Sequence, residues 1–309
     1  MFPKEHTMSK RTFKRIYGKL DLFLLLLIPL AWYVVFKYIP MYGLQIAFRR
    51  FNPTLGIAAS PWAGMRYFNQ FFDSYYFWEI IYNTISLSIY QLVIGFPIPI
   101  VLALLINEIQ SKHLKKTIQN ITYIPHFLSV VVVVSMLNLF SNVDYGIFNR
   151  FFGLFGAPAV DYMAKAQYFQ TLFVSSTVWQ SMGFNSIIYI AALTAIDSTL
   201  YEAATIDGCS RFQKILHISL PGLLPTILIL FIMRMGSLME IGFEKVLLMQ
   251  NPINMSSSEI ISTFIYKNGI QKGQFSYSAA VGFFNSIINF GLLVISNSLV
   301  KKFTKTSLW

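Results

Sequence analysis

Glu202-Ala203-Ala204-Thr205-Ile206-Asp207-Gly208, followed after nine residues by Ile218-Ser219-Leu220-Pro221, is a short polar island between two long apolar runs. Its spacing predicts a helix, a turn and a second helix. Thr199 and Glu202 stand at the capping-box interval, so Thr199 can open the first helix while Glu202 reaches back to cover its first free N–H. Gly208 can end that helix in the left-handed conformation that other residues avoid. Ser210 and Gln213 repeat the interval and open the second helix. Pro221 lacks an N–H and is expected to kink or restart the chain as it enters the next apolar run. Cys209, the chain's one cysteine, reads as a small residue in the turn, and no internal disulfide is possible.

Outward from this island the chain is apolar. Of its 309 residues, 55% are hydrophobic and 12% charged, about half the charge of a soluble domain. Six stretches are long enough to span a bilayer: about 22–39, 82–106, 121–140, 169–193, 223–239 and 279–300. The fold class expected is an all-α polytopic membrane protein, with a basic N-terminus over 1–20, one membrane domain over 21–300 and a tail over 301–309. Pro97 and Pro99 are expected to kink the second helix. The run Val130 to Val134 has strand composition, but a lone strand in lipid cannot satisfy its backbone, so helix is expected. The 22–39 run is long for a signal-peptide core and lacks a small-residue cleavage site after it, so it reads as a span.

Lysine and arginine placement orients the chain. The N-terminus, the loops after the second and fourth spans, and the tail hold 14 of the 24; the longer opposite loops hold nine. The side rich in basic residues on short segments is cytoplasmic. Both termini and the polar island over 197–221 therefore fall in the cytoplasm. The net charge of +11 flanks apolar runs instead of forming one stripe, which argues for a bilayer and against nucleic acid as partner.

The island resembles the EAA loop of permease subunits in binding-protein-dependent type I ABC importers. Glu202, Ala203, Ala204, Gly208, Ile218, Leu220 and Pro221 match that pattern in residue and spacing. The wider chain is similar to the oligosaccharide and polysaccharide branch, related to the maltose-type permeases, through Asn107-Glu108-Ile109, Tyr123-Ile124-Pro125-His126-Phe127, Ile196-Asp197, Gly242-Phe243-Glu244-Lys245 and Gln274-Phe275-Ser276-Tyr277-Ser278. The resemblance implies a non-catalytic, multi-pass subunit of the bacterial inner (cytoplasmic) membrane. Its implied partners are a second, homologous permease in a heterodimer, two ATP-binding subunits, an extracellular solute-binding lipoprotein and a glycan. Between the fourth and fifth helices, Leu200, Glu202, Ala203, Ala204, Ile206, Asp207 and Gly208 would form a coupling helix docked on the ATPase. No G-x-x-x-x-G-K-[ST] loop is present. No cofactor of its own is expected, ATP and magnesium being held by the partner subunits. The scattered histidines support no metal site.

Arg234 lies within the fifth apolar run, where a charge costs several kcal/mol unless water or a partner receives it, so it is a candidate functional residue. Read as one helix, Ser237 and Glu240 fall near its face. In the maltose-type permeases this region lines the sugar cavity, as does the segment after the tryptophan upstream of the loop. The resemblance therefore implies a substrate path of Trp179, Gln180, Phe184, Asn185, Arg234, Ser237 and Glu240. Arg234 would suit an anionic sugar such as a uronate or a sialylated glycan. Other readings are a permease for another solute, such as glycerol phosphate or a peptide, and an ion-coupled secondary transporter, which would more often show internal repeats and broken helices.

Overall fold

The computed structural model describes residues 20–304. Every regular element among them is helical, with one isolated bridge between Arg49 and Trp62. The N-terminal 19 residues and the last five, which hold most of the basic terminal residues, lie outside the described residues. Four helices are long and apolar enough to cross a membrane: Leu22–Phe48, Phe77–Asn107, Arg211–Met235 and Phe275–Lys302. Two bent pairs bring the number to six if each is one span: Lys112–Phe127 with Val130–Ser141, and Ala166–Thr194 with Ser198–Ile206.

The Ala166–Thr194 helix is the hub. It packs against Phe77–Gly95, Pro97–Asn107, Lys112–Tyr123 and Leu220–Met235. Phe169, Phe173, Val174 and Val178 fill a core with Leu87, Val134, Ile241 and Val246 at one end of it. Tyr189 and Leu193 fill a second core with Ile100, Ala103 and Leu223 at the other. The first span is different: its apolar window has no residue buried against the rest of the chain.

Several expected boundaries move, for physical reasons. The third span is not one helix over 121–140. Helix begins at Lys112, where the Ser111 hydroxyl caps it by accepting from the Leu114 N–H, 3.4 Å. It stops at Tyr123, just before Pro125, and passes into the tight turn Ile124–Phe127, after which Leu128 and Ser129 are extended. Ser129 then caps a second helix by accepting from the Val132 N–H, and the two axes meet at 97°. Pro97 does open a new helical segment, after regular helix ends at Gly95. The fifth span starts at Arg211 and ends at Met235, not 223–239. Within it a π-helical turn over Ile215–Ser219 gives way to a regular helical segment, Leu220–Met235, that opens with Pro221 at its start, where a missing N–H costs least.

The segment from Ile241 to Tyr277 reads as a loop by composition but packs as core. It contains the helices Phe243–Met249 and Ile261–Tyr266. Polar residues from the spans hold its backbone. Asn83 donates to the Ser256 and Glu259 carbonyls, 2.9 and 3.2 Å, and the Thr84 hydroxyl accepts from the Ile261 N–H, 3.0 Å. Within it, Asn254 is fully buried and donates to the Met163 and Met249 carbonyls. Away from water such groups must be satisfied inside the protein, which accounts for asparagine and threonine at these buried positions.

Candidate functional site: a polar island on one face and a cavity in the bundle

The island folds as helix, glycine turn, helix. The first helix is Ser198–Ile206, and it leaves the Ala166–Thr194 helix at 72°. Its cap corrects the expected one: Asp197, not Thr199, is the N-cap, and its carboxylate accepts from the Thr199 N–H at 3.0 Å. That N–H and the Thr199 hydroxyl hold the Asp197 carboxyl below its ordinary pKa. Glu202, freed from capping, is exposed and makes no ion pair or hydrogen bond among the described residues. Gly208 has φ of +75°, as its place in the turn requires, with open space around it. Ser210 and Gln213 form the expected reciprocal capping box. Two further contacts brace the unit: Lys214 Nζ donates to Thr205 Oγ1 at 2.7 Å, and the Tyr201 and Ser219 hydroxyls lie 2.9 Å apart.

No residue of the Ser198–Ile206 helix is buried. Leu200 is 52% exposed and Ile206 86%, with Ala203 exposed between them and Glu202, Asp207 and Gly208 beside them. Phe212, on the second helix, is likewise exposed, at 72%. It was not among the expected residues; the signal was present, since a phenylalanine in a polar loop has no local core to enter.

A cavity of about 660 Å³ lies inside the bundle, within the range of small-molecule sites. Three helices build its walls. Thr177, Ser181, Phe184, Asn185 and Ile188 come from the hub helix, at spacings that put them on one face. Gln91 and Phe96 come from the second span, and Leu230 and Arg234 from the fifth. Of the seven expected path residues, Phe184, Asn185 and Arg234 converge here. Trp179 lies on another face of the hub helix and lines a separate apolar pocket of about 280 Å³ with Val133, Met136 and Phe140. Gln180 donates to the Leu128 carbonyl at 2.9 Å and so ties the hub to the broken third span. Ser237 donates to the Arg234 carbonyl, and Glu240 is exposed. Both lie beyond the helix, which ends at Met235, so the helical spacing that would align them with Arg234 does not hold.

The cavity wall is held by close contacts with the break in the third span. Gly183 abuts the Thr122 carbonyl. The His126 ring stacks on Phe184, with centroids 3.9 Å apart and planes at 4°. The Arg234 guanidinium has no ion-pair or hydrogen-bond partner among the described residues. Gln91, Phe96, Thr177 and Tyr189, also on the wall, carry no sequence motif; only the meeting of helices identifies them.

A mostly apolar cavity walled by three long helices and carrying a few polar side chains, with an exposed helix–turn–helix at one end, suits a membrane permease. The chain belongs to the family described as binding-protein-dependent transport system inner membrane component, which matches residues 81–305. It is 38% identical, over all of its length and 96% of the relative's, to the polygalacturonan/rhamnogalacturonan transport system permease protein YteP of Bacillus subtilis. Among solved structures it resembles a chain of a bacterial ABC transporter involved in the import of the acidic polysaccharide alginate, with TM-score 0.87, 36% identity and coverage of 96% of this chain and 100% of that one. It also resembles a chain of a bacterial alginate ABC transporter in complex with an alginate pentasaccharide-bound periplasmic protein, with TM-score 0.88, 35% identity and coverage of 97% and 100%.

Proposed function

We propose that this chain is the permease subunit of an ATP-driven importer that carries an acidic oligosaccharide, delivered by an extracellular binding protein, across the bacterial cytoplasmic membrane. The observation that carries the reading is Arg234: a guanidinium in a bundle cavity, with no acidic partner among the described residues. A half-buried cation left unpaired inside a membrane bundle is costly, and a substrate carboxylate supplies the missing counter-charge. The relatives' acidic glycans agree with this choice. Phe184 offers a ring face to a sugar, and Asn185 and Gln91 offer amides to its hydroxyls.

In this reading the chain crosses the membrane six times with both termini in the cytoplasm. It pairs with a second, homologous permease and with two ATP-binding subunits, and it holds no nucleotide itself. The Ser198–Ile206 helix docks on an ATPase subunit through Leu200, Ala203, Ala204 and Ile206, with Glu202 and Asp207 free for polar contacts and Gly208 setting the turn. Closure of the ATPases on ATP moves this helix, and the helix switches the cavity between its two sides.

Two measurements test the proposal. Tagged chain purified in mild detergent should bring down a second permease and an ATP-binding subunit, identified by mass spectrometry. Recovery of the chain alone across several detergents refutes the importer. In proteoliposomes, Arg234→Gln should reduce uptake of a uronate oligomer by about tenfold or more, the scale of one hydrogen bond to a charged group. Unchanged uptake removes Arg234 from the path, and competition by glycerol phosphate instead of the uronate replaces the substrate class.

A further inference from the structure

Lys245 is the one charged side chain buried among the described residues, and neither the cavity nor the proposed coupling helix accounts for it. It sits on the Phe243–Met249 helix at 4% exposure, next to Val246 and in the core that Ile241 and Met249 build. Its ammonium has three N–H donors. One goes to Thr177 Oγ1 at 3.0 Å, and the Phe173 ring lies 5.5 Å from the nitrogen. Thr177 gives its own hydroxyl proton to the Phe173 carbonyl at 2.7 Å, so the hydroxyl receives the lysine and offers nothing further. No carboxylate among the described residues pairs with it. Glu244 and Glu240 are exposed, and the ion pair among the described residues joins Lys267 to Glu259.

As a packing residue Lys245 is a poor choice, since a methionine fills such a site without burying a charge. Its place explains it better. Thr177 belongs to the cavity wall, on the same helix face as Phe184 and Asn185. The ammonium therefore lies one hydroxyl behind the cavity surface, in low-dielectric surroundings where its field is weakly screened. A carboxylate in the cavity gains from that field, and an uncharged sugar does not.

We infer that Lys245 sets the preference of the cavity for acidic over neutral glycans, as a positioning residue whose ammonium acts on the substrate carboxylate across the Thr177 hydroxyl. The inference rests on the proposed reading of the cavity as a glycan path. In this proposal Arg234, from another wall, touches the substrate directly, while Lys245 stabilises the seated carboxylate from behind Thr177. Because Lys245 comes from the segment between the last two long helices, it ties that segment to the charge selectivity of the path.

The test uses the whole transporter, co-purified and reconstituted in proteoliposomes with its binding protein. Uptake is measured for a galacturonate trimer and for its methyl ester, which has the same shape without the charges. Lys245→Met should lower uptake of the acid about tenfold, the scale of one charge contact at a partly buried site, and leave the ester within about twofold. Lys245→Arg should restore the acid, and Thr177→Val should narrow the acid-to-ester ratio while Lys245 stays in place. Equal loss of acid and ester in Lys245→Met makes the residue structural and overturns the inference. So does an unchanged ratio. A wild-type transporter that carries acid and ester equally overturns the acid preference while leaving a glycan path, and one that carries neither overturns the glycan reading itself.

Discussion

Gly183→Ala is the sharpest probe of how the cavity wall is held. The hub helix and the end of the Lys112–Tyr123 helix approach so closely at this point that a Cβ on residue 183 would overlap the Thr122 carbonyl oxygen and carbon. The obstacle is backbone, so no side-chain rotation relieves it. The two helices must separate by about an ångström, enough to forfeit a large share of each dispersion contact along the seam. The same seam carries the Gln180 bond to the Leu128 carbonyl and the stacking of His126 on Phe184. Overpacking of this kind costs ~1–3 kcal/mol. Against it stands the gain of about 1 kcal/mol that alanine brings to a helix over glycine. Gly291 supplies the control: it is helical, and an added Cβ there meets nothing within 4 Å. Gly291→Ala should therefore hold or raise the temperature at which the detergent-solubilised protein loses its monodisperse peak in size-exclusion chromatography. Gly183→Ala should lower that temperature and reduce uptake. Equal behaviour of the two variants would refute the reasoning that this approach is tight.

Gly208→Asp should abolish uptake while the protein still inserts in the membrane, because φ of +75° is strained for a side-chain-bearing residue and, in the proposed function, the turn sets the angle of the docking helix; normal transport would remove the proposed coupling role. Phe184→Ala should impair uptake more than Trp179→Ala, since only Phe184 faces the 660 Å³ cavity, and the reverse order would move the path to the apolar pocket. The Asp197 cap is pH-dependent with a fixed sign: its folded pKa is depressed below 3.8, so its contribution is complete above that value and is lost as pH falls through the folded pKa. Asp197→Asn should keep the Ser198–Ile206 helix resistant to limited proteolysis at neutral pH, whereas Asp197→Ala should open its start to cleavage; equal protection would show that the cap does not hold it.

Among the basic sites, Arg234 was visible in the sequence because a charge inside an apolar run is anomalous by itself. Lys245 was not, since the stretch around it has the composition of a loop, and only the packing of that stretch against Phe173 and Thr177 buries it. Trp179 and Phe184 looked equivalent along one segment, yet five positions on a helix turn them to different faces. Thr199 has a good capping side chain, but Asp197, two residues earlier, holds the N-cap geometry as the chain turns by 72° out of the hub helix.

By itself the sequence determined what local chemistry and the bilayer control. Long apolar runs must be helices because lipid offers no partner to a free N–H or carbonyl. Gly208, Ser210 and Gln213 dictate the turn and the second cap over a few residues. The tertiary structure decided what depends on two segments meeting: the 97° break of the third span, the fit of Gly183 on Thr122, the walls of the cavity and the burial of Lys245. Those follow from which faces of distant helices come together, and no spacing along one helix records that.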